Sequence, residues 1–356
     1  MSEPVPRHVD PELARLEGEA ASQVVRDAGS AFPVPAPPKP VWDRATYHGE
    51  PVLKEPVWKW PVPIYFYVGG VAGAAAVLGA VAQALDGPRL SRLVRRARWT
   101  AAAGTAIGSG LLIQDLGRPA RFALMLRVFR PTSPMNVGTW VLTATGGLSF
   151  TAALFGERRG ILGRLGRAAG LGLGVTGLPL AGYTAVLLAN TAVPVWQDAR
   201  RSLPFLFIGS AMAGAGTLLE LLGGDEAERR VVRRFTVVGE IVELLGTVAI
   251  DAEARRSPRV TAPLREGASG WLWTAARVLT ASALALSLGA RQRRSTRLAA
   301  ALLGAAGGVA LRFAVVEAGR RSARDPRATF EPQRQALRKE PAALRTGDTP
   351  TVRDGR

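Results

Sequence analysis

The sequence has no cysteine and only two histidines, His8 and His48. Both histidines lie in the polar N-terminal stretch, outside every apolar run. A haem b held between helices needs axial histidines, and an iron–sulfur cluster needs thiolates. Neither group is expected in this chain, nor is any other metal site. The missing cysteines also remove disulfides and zinc-ribbon sites, so cysteine usage carries no information about redox compartment. Any redox role must take electrons from another subunit or pass them to an organic carrier such as a quinone. A secretory leader is not expected either. Residues 1–55 are polar and proline-rich with no apolar core near the start, so insertion would be driven by internal segments.

What the chain does have is long apolar runs. The mean hydropathy of the 356 residues is only +0.12, because charge is concentrated in short blocks between runs of Ala, Gly, Leu and Val. Small residues let helix backbones approach closely in lipid. Eight spans are expected, at 61–85, 97–116, 134–155, 170–193, 203–222, 231–250, 270–290 and 297–319. Each is near the roughly 20 residues that cross the hydrocarbon core. The sixth contains Glu240 and Glu243; without it the helix count falls and the C-terminus changes sides. The expected fold class is an all-α integral membrane protein with eight transmembrane helices. It comprises a polar N-terminal extension (1–57) containing the stiff "AFPVPAPPKP", a membrane domain (58–320) and a basic C-terminal tail (321–356). Trp58 and Trp60 read as interfacial anchors. Part of "GRPARFALMLRVFRPTSP" reads as a short amphipathic helix lying in the interface.

The net charge of +18 allows a nucleic-acid partner in principle. Arginines, however, flank nearly every apolar run, and no aromatic-plus-basic reading motif is present. The charge reads as flanks that orient helices, with the lipid bilayer as partner and no nucleic acid. Eight spans would put both tails on one side. The four loops "GPRLSRLVRRAR", "GERRGILGRLGR", "DEAERRVVRR" and "RQRRSTR" would lie on the other. Those loops are short and arginine-dense, which favours termini outside; the basic C-terminal tail argues the reverse.

Two segments are richest in chemistry. In "LLIQDLGRPARFALMLRVFRPTSPMNVGTW", Asp115 falls at the end of the second span, followed by Arg118, and Ser133 precedes Pro134 as an N-cap. Asp115 is either paired with Arg118 or Arg121 in an ordinary turn, or a proton-accessible carboxylate beside a carrier pocket. In "LAGYTAVLLANTAVPVWQDARRSLPFLFIGSAMAGAG", Tyr183 and Asn190 are seven residues apart and share a helix face. A buried Tyr183 hydroxyl needs a partner, either another helix or a carrier carbonyl. Pro194 and Trp196 end this span at the interface, and Ser210, Gly214 and Gly216 read as packing residues. Gly69, Gly70 and Gly73 thin one face of the first span, for a neighbouring helix or a flat ring. Arg312 and Glu317 form a buried pair or mark a proton route, with Glu220, Glu240 and Glu243 as further acids at depth.

Taken in order, "YFYVGGVAGA", "DLGRPARF", "SPMNVGTW", "YTAVLLANTAVPVW", "LPFLFIGSAMAGAG" and "LRFAVVEAG" resemble the NrfD/PsrC family over residues 58–320. These are the quinone-interacting membrane subunits of polysulfide reductase-like complexes. The chain looks most like the formate dehydrogenase-associated type from high-GC bacteria. The resemblance implies eight transmembrane helices in a bacterial inner membrane and no haem or iron–sulfur cluster in this chain. It implies a four-cluster ferredoxin-like iron–sulfur subunit and a molybdopterin catalytic subunit as partners. It also implies a quinone cofactor, menaquinone or ubiquinone, at the glycine-rich face of the first span, Asp115 and Tyr183. Histidine, found on the first span of some relatives, is replaced here by Tyr65 and Tyr67.

The expected quinone-binding set is thus Tyr65, Gly69, Gly70, Asp115, Tyr183 and Asn190. The expected proton relay is Asp115, Glu220, Glu240, Arg312 and Glu317. The expected docking set is Arg118, Ser133 and Trp196. No residue is assigned as catalytic in its own right. The competing expectation is a proton, ion or solute transporter without redox work, and a third is a plain membrane anchor.

Overall fold

The computed structural model describes residues 53–330 apart from 118, 256 and 290–292, and the side chains of residues 119 and 121 are not described. Expectations for Arg118, Arg121, His8, His48 and most of both tails therefore fall outside the described residues. Among the described residues there are helices and no strands. The elements are α1 (Pro61–Asp86), α2 (Ser91–Leu116), α3 (Pro119–Met125), α4 (Pro134–Phe155), α5 (Gly160–Ala189), α6 (Pro194–Asp198), α7 (Leu203–Leu221), α8 (Glu226–Ala254), α9 (Pro258–Thr261), α10 (Gly267–Leu288) and α11 (Arg294–Arg324). A 3₁₀ turn, Ala262–Leu264, separates α9 from α10.

The expected spans coincide with the eight long helices, but several helices run further at one end. α2, α5, α8 and α11 begin within the arginine blocks, because arginine is a good helix former and the helix continues past the apolar run. α5 stops at Ala189 rather than 193. Asn190 caps it, and Gln197 donates to the Ala189 and Thr191 carbonyls at 2.7 Å, satisfying acceptors that the helix end leaves open. Among the described residues six helices, α1, α4, α5, α7, α10 and α11, are long and apolar enough to cross a membrane. α2 is diluted by Thr, Gly and Ser, and α8 carries Glu240, Glu243 and Asp251.

α1 packs against α2, α5, α7 and α11 and is the most buried of the six. Its approach to α5 is backbone to backbone. A Cβ on Gly73 would lie 2.5 Å from the Gly177 carbonyl oxygen, and one on Gly177 2.6 Å from that of Gly73. Gly70 faces the Ala211 methyl group of α7, which would lie 3.3 Å from a Cβ at that position. The glycines of "YVGGVAG" are therefore largely spent on helix contacts, while the only atoms near a Cβ on Gly69 would be those of the Tyr65 ring.

At the arginine-rich end, α8 starts with a capping box between Asp225 and Glu228. Glu228 is fully buried and also accepts from the Leu93 N–H at 2.7 Å. One carboxylate thus satisfies orphan donors of two helix starts. Arg96 completes the tie, donating to the Gly223 carbonyl.

Candidate functional site

At the other end of the bundle two aromatic side chains are held by one device. The Tyr183 hydroxyl of α5 donates to the Pro134 carbonyl at 2.5 Å. Its ring lies where a side chain on Gly138, four residues on, would be; a Cβ there would sit 1.9 Å from Cζ. The Trp196 indole N–H donates to the Val315 carbonyl of α11 at 2.8 Å. Its ring covers Gly319, again four residues on, where a Cβ would fall 2.0 Å from Cζ2. In each case a carbonyl accepts a side-chain donor because a glycine one turn later leaves room for the ring. Trp196 was expected at the interface and on the docking face. It is instead buried at 1 % exposure, since both its ring and its N–H find partners inside.

Beside Tyr183 lies Tyr65, also buried, with its ring 3.4 Å from where a Cβ on Gly108 of α2 would be. The Tyr65 hydroxyl makes no hydrogen bond to a described residue. Asp115 lies exposed at the last turn of α2 and meets Lys59, through its backbone and its charge, rather than a described arginine. Asn190 is exposed and donates to the Val186 carbonyl at 2.8 Å. As the cap it has left the helical path, so it does not share the buried face of Tyr183.

The chain before α1 closes over this end. Trp58 stacks on Trp196, with ring centroids 5.5 Å apart and planes 14° apart. Glu55 accepts from Arg324 at 2.7 and 2.8 Å and from Arg320 at 3.0 Å. Its hydrogen bonds to Arg324, helped by Arg320, hold its carboxyl below the usual carboxylate range. Between α2 and α4 the turn is organised by Asn136. Its amide donates to the Met125 and Val128 carbonyls at 2.6 and 3.0 Å, and its oxygen accepts from the Arg130 N–H at 2.7 Å. Ser133 is the N-cap of α4, accepting from the Asn136 N–H. The turn leaves Leu124 and Phe129 about 60 % exposed, at 60 % and 59 %.

Deep in the bundle five helices bring polar groups together. Arg312 of α11 is fully buried, with its guanidinium 3.8 Å over the Phe207 ring and one N–H on the Phe207 carbonyl at 3.2 Å. Its Nε and Nη1 make no hydrogen bond among the described residues. Its charge interacts with Glu243 of α8 and Tyr67 of α1. Glu243 accepts from Thr280 of α10 at 2.9 Å, and Ser210 of α7 lies against its carboxyl. Glu240, one turn away, is fully buried beside Ser287. The expected Arg312–Glu317 pair does not form. Five helical residues separate two side chains by about 140° of rotation, and Glu317 turns to Arg320 and Arg321 at 3.6 and 3.7 Å. Glu220 pairs with Arg297 at 2.8 Å near the opposite surface. The expected relay residues are thus split between three places, and the buried centre adds Tyr67, Ser210 and Thr280. Among the described residues no His, Cys, Asp and Glu side chains cluster as metal ligands.

The polysulfide reductase family model NrfD_2 matches residues 45–324. The chain belongs to that family. As an NrfD-family protein it is a multi-pass membrane protein and a membrane subunit of a quinone-linked oxidoreductase, and subunits of this family work with iron–sulfur and molybdenum enzyme subunits. No curated protein matches the chain. The family match spans both the aromatic end and the buried polar centre, including Tyr65, Tyr183, Glu243 and Arg312.

Proposed function

We propose that this NrfD-family chain passes electrons between the membrane quinone pool and a four-cluster ferredoxin-like subunit of a molybdopterin enzyme, of the formate dehydrogenase-associated type. The observation that carries the reading is the Tyr65 hydroxyl, which makes no hydrogen bond to a described residue although the side chain is largely buried. A hydroxyl at the edge of an otherwise buried side chain is open to an incoming acceptor, and a quinone carbonyl is one. Gly69 and Gly108 let the Tyr65 ring lie directly against the backbones of α1 and α2, which holds its hydroxyl in place for an incoming head group. Quinone supplies two-electron, two-proton chemistry when bound. Tyr65 donates to a carbonyl oxygen, and Asp115 with Lys59 holds a proton at the rim. Tyr183 positions Tyr65 rather than reaching the head group, because its own hydroxyl already serves Pro134. Menaquinone and ubiquinone are both compatible with these contacts.

All eight long helices cross the membrane in this reading, α2 and α8 included. Their exposed faces support it: Trp99, Ala103 and Ile107 of α2, and Val238, Ile241, Leu245 and Val248 of α8, are apolar stripes turned outward, while Glu240 and Glu243 of α8 turn inward. The iron–sulfur partner covers the end that carries Tyr65, resting on the exposed Leu124–Phe129 turn. Both tails lie on that outer side of a bacterial inner membrane. A cross-linker at Val128 should capture the partner, and one in "GERRGILGRLGR" should not; the reverse would put the electron path through the other end.

Replacing Tyr65 with Phe tests the site. Binding of a quinone analogue to the intact complex should weaken about five- to thirty-fold, the equivalent of roughly 1–2 kcal/mol, with assembly unchanged. Unchanged binding would remove Tyr65 from the site. The second reading, proton or ion translocation, is favoured by the cluster of Tyr67, Ser210, Glu243, Thr280 and Arg312, since ionisable groups at membrane depth are rarely kept without a task. Proton uptake into liposomes containing the chain without partners would support it.

A further inference from the structure

A cavity of about 90 Å³ opens at the arginine-rich end of the bundle, between α7, α8, α10 and α11 and away from Tyr65. Four arginines line it, Arg229, Arg230, Arg233 and Arg297, against two carboxylates, Glu220 and Glu226. Both carboxylates are engaged: Glu220 by Arg297 at 2.8 Å, and Glu226 by Arg229 at 3.8 Å. Among the described residues Arg230 and Arg233 are left with backbone carbonyls only. Arg230 donates through Nε to Glu226 O at 3.4 Å, and Arg233 through Nε to Ser287 O at 2.7 Å. Two guanidiniums therefore bring their remaining N–H groups to one small cavity without a carboxylate to neutralise them. The planar guanidinium fork matches the oxygens of a phosphate.

The surroundings say where such a phosphate would come from. The helices that wall the cavity carry exposed leucines at its level: Leu218 and Leu221 beside Glu220, and Leu298 and Leu302 beside Arg297 and Ala301. Apolar surface below and arginines above is the arrangement that a phospholipid meets at the membrane boundary, and basic pockets between membrane helices hold anionic head groups. We propose that this cavity binds a phosphate group, supplied by the head group of an anionic phospholipid. The site is separate from the proposed quinone site and does not depend on it.

The test uses the full-length chain, purified in neutral detergent and stripped of lipid, with native mass spectrometry reading the retained ligand. Phosphatidylglycerol, phosphatidylcholine and inorganic phosphate are offered in turn. Phosphatidylglycerol should be retained over phosphatidylcholine. Arg230→Gln, at an exposed position, should lower that retention about fivefold, and Arg230→Gln with Arg233→Gln about twenty-five-fold, each arginine contributing comparably. The single variant keeps the test valid if the double one does not fold. Arg158→Gln with Arg159→Gln, an exposed pair at the same end but outside the cavity, should change nothing. Binding of inorganic phosphate that the same cavity variants abolish, without preference for phosphatidylglycerol, would support the phosphate site and make the free anion its source. Equal retention of the two lipids without phosphate binding, or equal losses in the control pair, would overturn the proposal.

Discussion

Tyr65 and Tyr183 are neighbours with different proposed tasks, and single substitutions separate them. Tyr183→Phe leaves the Pro134 carbonyl without its side-chain donor, and thermal unfolding in detergent should report a loss of about 1 kcal/mol, the usual worth of one hydrogen bond. Its effect on quinone should be indirect and smaller than that of Tyr65→Phe. Gly138→Ala is the harsher change, because its Cβ would fall inside the Tyr183 ring. It should cost about 1–3 kcal/mol or more through overpacking. Gly110→Ala, with nothing within 4 Å of the new carbon, should be neutral or slightly stabilising. Equal effects of the two alanines would refute the ring-on-glycine account. For the buried centre, Glu243→Gln removes the carboxylate whose charge Arg312 feels, which should lower the thermal unfolding temperature in detergent. Adding Arg312→Met should recover part of that loss. Additive losses would mean that the two charges act independently.

At the scale of elements, the strap before α1 is held by charge. The depressed Glu55 carboxyl means that its bonds to Arg320 and Arg324 contribute above the ordinary carboxylate value, about 4.3, and are lost as pH falls through the lower folded value. Hydrogen exchange in residues 53–60 should therefore be slow at neutral pH and rise in strong acid. Glu55→Gln should show fast exchange throughout; a strap that stays protected in that variant would be held by the Trp58–Trp196 stack alone. Much of the helical layout was legible in the sequence, because runs of Ala, Gly, Leu and Val mark membrane depth directly. The helix ends were not, since "RLVRRAR" and "EAERRVVRR" continue a helix after hydropathy has fallen. Ser133 was legible as a cap because Ser-Pro has a local meaning. Trp196 was not legible as buried, because its partner glycine, Gly319, lies far along the chain. The gathering of Tyr67, Glu243, Thr280 and Arg312 from four helices had no local signature at all, and the Arg312–Glu317 pairing failed because sequence proximity ignored helical phase.

At the scale of the whole molecule, the absence of cysteine makes topology directly measurable. Single cysteines at Arg89, Arg158 and Gly224 should be labelled from one side of intact membranes, and cysteines at Val128 and Arg255 from the other. If α2 does not cross, Arg89→Cys and Val128→Cys will label from the same side. Such labelling also decides which side carries the tails. In the proposed reading the two ends of the bundle have distinct work: an aromatic, partner-facing end for electron exchange with quinone, and an arginine-rich end that meets lipid head groups, joined by a buried polar centre. The most direct measurement of the central claim is photo-cross-linking of the purified complex with an azido-quinone, followed by peptide mapping. The expected label lies on α1 around Tyr65 or on α2 between Ile107 and Asp115, and native quinone displaces it. Displaceable labelling confined to the arginine-rich end, or none on this chain, would contradict a quinone site at Tyr65.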